Sequence, residues 1–326
     1  MGGGPALEKR ATRDENAPPA ILFMTWGSSM PTMSRPPHDT TTAEAARRTA
    51  GMVRRALCAA AMLGASAPAD WSSADDLLRL ERGGMPIVIS APHGGALELP
   101  GGMPRKGEGL ERRPGGFVVA RDGGTEELAI LVADAIERRV GRRPWLVVNR
   151  AHRRFMDPNR RPEEATEDAA GEAVYRRYHD FLAEACTTMR ERWGTGLVVD
   201  IHGQGSDAAT VFRGTGNGLS TTMLARRFGP RAVVGAGSLV GELRQRGVVV
   251  HPGPLDGPEQ PGFTGGYITR HYGAAGGFDV SAVQLEFGAS YRGREARAGV
   301  AEVVADAIVA HASAFLGLPP PAADAP

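Results

Sequence analysis

Only two cysteines, Cys58 and Cys186, occur in the 326 residues. That is too few for a disulfide framework or a thiolate zinc site, so any metal held here must rest on histidine and carboxylate. Charge of one sign is lacking too: 38 Lys and Arg against 37 Asp and Glu leave a formal net charge of +1. Near-neutral charge, with no basic stripe carrying interleaved aromatics, gives no footprint for nucleic acid. No apolar run reaches the roughly 18–20 residues that span a bilayer, so no membrane span is expected. What remains is an ordinary globular composition, 42% hydrophobic and 23% charged, long enough for one large or two modest domains.

Residues 1–51 are rich in Gly, Pro, Thr, Met and Arg and show no sustained period. They read as a disordered or misannotated extension. MVRRALCAAAMLGASAPADW follows from Met52, with a basic pair (Arg54, Arg55), an apolar stretch from Ala56 to Ala65 and small residues at Ala67-Pro68-Ala69. Cation, short apolar run and small-residue site in that order are the parts of a signal peptide, here 52–69. The expectation is a mature protein beginning near Asp70, secreted or periplasmic; an amphipathic first helix of a cytoplasmic protein is the alternative. The folded domain is expected over 70–318, before a Pro/Ala tail at 319–326.

From about residue 75, short apolar runs alternate with helical stretches. MPIVISAPHGG reads as a buried strand stopped by Pro92 and a glycine pair, and PWLVVNR, GLVVDIHGQG and SAVQLEFG as three more. TEELAILVADAIERRVG reads as an amphipathic helix with Thr125 as N-cap and Gly141 as stop. A long helix closes at Gly194, a last one begins near Arg294, and the Gly-rich stretch 252–277 reads as a long loop. Continuous apolar strands between helices predict a single α/β domain with a mixed, mainly parallel central sheet flanked by helices.

The polar residues fall where such sheets bind ligands. His93, His202 and Glu286 each lie at or just beyond the C-terminal end of a strand. Both histidines are followed by glycine, which lets the backbone approach a ligand. Either histidine alone equally fits a strand-end imidazole bonded to backbone. Together they suggest two of the three protein ligands of a catalytic metal site. The third is Asp122 by preference, with Glu98 and Glu126 as alternatives. Asp200 shares a strand face with His202 by period two and is a candidate partner fixing its tautomer. Glu286 ending an apolar strand is costly to bury unless paired or functional, and beside a metal-bound water it suits a general base. NRAHRRFMDPNR gathers arginine and histidine around one loop, a chemistry matching a substrate carboxylate or else a solvated basic loop.

PHGG (92–95), RDGGTEELA (121–129), HRRFMDPNR (152–160), DIHGQG (200–205) and QLEFG (284–288), in that order, resemble the N-formylglutamate amidohydrolase family. The family is similar to zinc carboxypeptidases and aspartoacylase, and the resemblance implies a phosphorylase/hydrolase-like α/β fold. It implies one Zn2+ ion on His93 and His202, Glu286 as base, and a substrate carboxylate held by Asn159 and Arg160 with Arg153 near enough to steady an oxyanion. The expected substrate is a small molecule or short peptide bearing a carboxylate: N-formylglutamate or another N-acyl amino acid. A carboxypeptidase, a cell-wall peptide amidase or a non-catalytic binding protein are the alternatives. One departure stands out: zinc carboxypeptidases carry H-x-x-E, but three residues after His93 stands Ala96.

Overall fold

In the computed structural model the described residues are 76–110 and 116–319. The extension expected at 1–51, the signal peptide expected at 52–69 and nearly all of the Pro/Ala tail lie outside them.

Strands β1 (Leu78–Glu81), β2 (Ile87–Ala91), β3 (Trp145–Asn149), β4 (Leu197–Gly203), β5 (Val211–Gly214), β6 (Val250–His251) and β7 (Ser281–Phe287) form one seven-stranded sheet in the order β1-β3-β2-β4-β7-β5-β6. The four central strands β3, β2, β4 and β7 run parallel, while β1 joins β3 and β5 joins β7 antiparallel. This is the mixed, mainly parallel sheet that the apolar runs predict. β2, β3 and β7 are buried at every position because helices cover both faces.

One face carries Ile87, Ile89, Leu146, Val199, Ile201 and Leu285 against α1 (Thr125–Val140) and, later in the chain, α6 (Leu239–Gln245) and α9 (Arg297–Phe315). By length and composition α9 could cross a membrane; half of its apolar window is buried, and it packs on α1 and α6 over the sheet. The other face carries Val88, Val147, Val198 and Ala282 against α3 (Ala169–Trp193), with Tyr178, Leu182, Cys186 and Met189 pointing inward. Each such fully buried aliphatic side chain contributes about 1.5–3 kcal/mol relative to exposure. Asp168 accepts from the Gly171 amide to start α3, and Gly194 ends it at φ 65°.

Two local expectations change. Gly124, at φ 90°, is the N-cap of α1 rather than Thr125, whose hydroxyl donates to the Asp122 carbonyl inside the preceding turn. The stretch 252–277 is not all loop: it holds α7 (Tyr267–Tyr272), with Ile268, Thr269 and Tyr272 buried. Flanking glycines hide that helix from a periodicity reading. β1, β5, β6 and the short helices α2 (Pro162–Ala165), α4 (Thr222–Phe228), α5 (Arg231–Val234) and α8 (Ala289–Arg292) also add to the expected elements.

Candidate metal and hydrolytic site

Strand register builds the site. β2 pairs with β4 so that Ser90 stands beside Asp200, and β4 pairs with β7 so that Asp200 stands beside Gln284 and His202 beside Glu286. On the face that meets α3, each strand therefore turns from apolar to polar toward its C-terminal end: Val88 to Ser90, Val198 to Asp200 and His202, Ala282 to Gln284 and Glu286. Period two makes all of these share one face.

The PHGG turn brings His93 onto this edge. A Cβ at Gly94 would stand 2.3 Å from the Glu126 amide nitrogen, and one at Gly95 would stand 2.2 Å from the Arg150 carbonyl carbon. Only glycine lets the turn wedge between α1 and the end of β3. The Asp122 amide then donates to the His93 carbonyl at 2.9 Å, which delivers Asp122 to the same place.

His93, Asp122 and His202 converge, with candidate ligand atoms all within 4.8 Å of one another. Asp122 Oδ2 lies 3.4 Å from His93 Nδ1 and 3.5 Å from His202 Nδ1, and the two rings meet edge to face at 4.7 Å. Each imidazole is held from behind through its other nitrogen: His93 Nε2 by Asp157 Oδ1 and His202 Nε2 by Asp200 Oδ2, both at 2.7 Å. An ionised carboxylate only accepts, so each Nε2 carries the proton and each Nδ1 offers a lone pair. His93 Nδ1 is buried with no hydrogen-bond partner. Two imidazole lone pairs and a carboxylate oxygen thus face one another with too few protons between them, an arrangement that a cation satisfies. The donor set, two imidazoles and one carboxylate, suits zinc in a catalytic site with an open position.

The electrostatics agree with this geometry. Burial favours a neutral Asp122, but the two imidazoles outweigh it and hold its carboxyl well below the usual range. Burial likewise opposes charge on His202, yet Asp200 and Asp122 hold a proton on it well above the ordinary histidine value. Without a metal, a proton takes the cation's place.

Glu286 is buried beside this group. Gln284 Nε2 donates to its Oε1 at 2.7 Å, and no lysine or arginine among the described residues forms an ion pair with it. Burial, with Asp122 adding to it, pushes its carboxyl up against the pull of His202, His93 and Arg153. Arg153, also buried, donates from Nε to Asp157 Oδ2 at 2.9 Å and holds Nη1 3.7 Å from Asp122 Oδ1.

Asn159 is close as well, with Nδ2 3.3 Å from His202 Nε2 and 3.4 Å from Gln284 Oε1. Its Oδ1 accepts the Ile268 amide at 2.8 Å, so both ends of the side chain have internal partners. Arg160 lines a cleft of about 610 Å3 with Asn159, Arg161, Glu164, Tyr267, Arg270 and His271, and its guanidinium donates to the Asn159 and Gly116 carbonyls at 3.2 and 3.1 Å. Arg161 and Arg270 make no ion pair among the described residues. The two alternative third ligands lie elsewhere: Glu98 is exposed and paired with Arg154, and Glu126 faces Arg150 at 3.3 Å.

Sequence reasoning did not single out Ser90, Arg105, Gln284 or the role of Asp157. Arg105, buried in the loop after β2, donates to Asp157 Oδ2 at 3.4 Å and to the Arg153 carbonyl at 3.2 Å. The polar turn of each buried strand, every second residue, was the signal for Ser90 and Gln284. Nothing local marks Arg105.

No protein-family model matches this chain, and no curated protein matches it. Among solved structures, the N-formylglutamate amidohydrolase from Ralstonia eutropha JMP134 is similar at 17% identity and a TM-score of 0.45, over 73% of this chain and 97% of that one. This is a distant likeness of fold and says nothing about activity.

Proposed function

We propose that the protein is a zinc-dependent hydrolase of an amide bond next to a carboxylate, acting on N-acyl amino acids such as N-formylglutamate. The observation that carries this reading is the convergence of His93 Nδ1, His202 Nδ1 and Asp122 Oδ2, each imidazole fixed from behind by its own carboxylate, beside the buried carboxyl of Glu286. Bound there, zinc would supply Lewis acidity and a water of lowered pKa. Glu286 takes the proton of the attacking water and returns it to the departing amine nitrogen, with Gln284 orienting its carboxyl. Arg153, whose charge stands between Asp157 and Asp122, is the cation that steadies the negative oxygen as it forms. The arginine-lined cleft beside Asn159 takes the carboxylate of the substrate. If the export segment at 52–69 acts as read, this chemistry takes place outside the cytoplasm.

The size of that cleft favours a second substrate reading. The cleft, about 610 Å3, borders the His93–Asp122–His202 group only through Asn159 and leaves room there for a substrate longer than N-formylglutamate, such as a short peptide with a terminal carboxylate. Both readings meet one experiment: turnover of N-formylglutamate, longer N-acyl amino acids and dipeptides by zinc-loaded protein and by Glu286→Gln. The expected result is hydrolysis of one of these classes, reduced roughly 10²–10⁴-fold by the substitution with zinc retained. Unchanged turnover in Glu286→Gln removes this carboxyl from the chemistry.

A further inference from the structure

Behind His202 lies a row of polar groups that the reaction itself does not use. Asp200 Oδ2 accepts from His202, and its other oxygen accepts from Ser90 Oγ at 2.7 Å. Ser90 Oγ in turn lies 2.7 Å from the hydroxyl of Tyr178, which comes from α3 on the facing layer. Ser90, Tyr178 and Asp200 are completely buried. The directions of these bonds are forced. Asp200 can only accept, so the one serine proton goes to it; the remaining partner of Ser90 Oγ must then receive the phenol proton of Tyr178. A single ordered chain results, running Tyr178 O–H to Ser90 O–H to Asp200, with His202 Nε2–H donating to the same carboxylate from the other side. Asn159 Nδ2, 3.3 Å from His202 Nε2, is a donor and cannot replace Asp200 there.

We infer that Ser90 and Tyr178 are positioning residues that set the metal affinity of the site by holding Asp200, and through it the Nδ1 lone pair of His202, in the ligating geometry. The inference rests on the metal reading above. Asp200 needs this support more than its counterpart does, because no lysine or arginine among the described residues pairs with it. Loss of Ser90 leaves one Asp200 oxygen and the Tyr178 hydroxyl without their bonds in a place water does not reach. The carboxylate is then free to turn, and the imidazole with it.

The test is zinc affinity, measured by competition with a chromophoric chelator on the full chain, alongside thermal unfolding of the metal-free protein. Losing an outer-shell partner of a ligating histidine typically costs 10–100-fold in affinity. Ser90→Ala is expected near the lower end, about 10-fold, and Tyr178→Phe a few-fold, because Ser90 still donates without it. In the double variant Tyr178→Phe should add almost nothing to Ser90→Ala, since the chain is already cut. Ser281→Ala, which removes a buried hydroxyl at the far end of β7, should leave zinc affinity unchanged. If Ser90→Ala fails to fold, the near-isosteric Tyr178→Phe decides the question alone. Zinc affinity unaltered in the folded variants, or independent additive losses, would overturn the inference while leaving the metal site standing. No zinc on the unsubstituted protein would overturn the metal site and the inference together.

Discussion

His93 and His202 are alike in sequence: each ends a buried strand, precedes glycine and offers Nδ1 to the same point. Their supports differ. Behind His93, Asp157 is saturated by four donors, with His93 Nε2 and the Asn159 amide on one oxygen and Arg153 and Arg105 on the other. Behind His202, Asp200 has two, the imidazole and the Ser90 hydroxyl. The first limb is held by charge and adds to backbone bonds that already join the loops after β2 and β3, such as Arg105 N–H to the Arg154 carbonyl at 2.7 Å. The second is held by neutral groups on neighbouring strands and a facing helix. A buried imidazole can thus be fixed at the cost of two buried cations or by the sheet register itself.

The largest expected contrast is in stability. Asp157→Ala strands the buried Arg105 guanidinium and leaves Arg153 only the Asp122 carboxylate at 3.7 Å, and leaving a buried charge unpaired costs about 3–5 kcal/mol. Asp200→Asn strands no guanidinium and leaves the His202 imidazolium Asp122 as a partner, so its loss should be the smaller of the two. Chemical denaturation of the two metal-free variants measures the difference, and equal losses would break the comparison.

Next in size is a pH effect that belongs to neither limb. His311 in α9 has no carboxylate, only the Gly237 carbonyl at 3.3 Å, and burial pushes its imidazole down to about 4. The unfolded chain, titrating near 6.5, takes a proton that the folded chain refuses between those values, so stability falls as pH drops from about 6.5 to about 4. The slope is about 1.4 kcal/mol per pH unit within that window at most. His179, also pushed down to about 4 by burial, acts in the same direction. His311→Leu should therefore shallow the acid limb of the unfolding profile without removing it. A profile unchanged between pH 7 and pH 4.5 would count against this assignment.

Smaller again is the effect on metal affinity alone. Asp200→Asn should weaken zinc by roughly 10–100-fold, about 1.4–2.7 kcal/mol, while leaving the fold intact. A fall in affinity no greater than that caused by Ser281→Ala would remove the distinction between the limbs.

Much of this architecture was legible from the residues. The four apolar strands, the long helices and their glycine stops follow from period and punctuation, as does the gathering of His93, His202 and Glu286 at one sheet edge. Asp122 was recoverable only as a preference, because its approach depends on a turn that bonds back to the His93 carbonyl. Arg105 was not recoverable, since nothing in its own surroundings says that its guanidinium reaches a carboxylate 52 residues on. The short strands β5 and β6 gave too few residues for a period, and α7 was masked by the glycines around it.

Metal content of the purified full chain after zinc loading and dialysis reads directly whether His93, Asp122 and His202 hold one zinc ion. About one zinc per chain is expected, lost in His93→Ala, His202→Ala and Asp122→Ala and retained in Glu98→Ala and Glu286→Gln. Zinc at full occupancy in either histidine variant, or none on the unsubstituted chain, would contradict it.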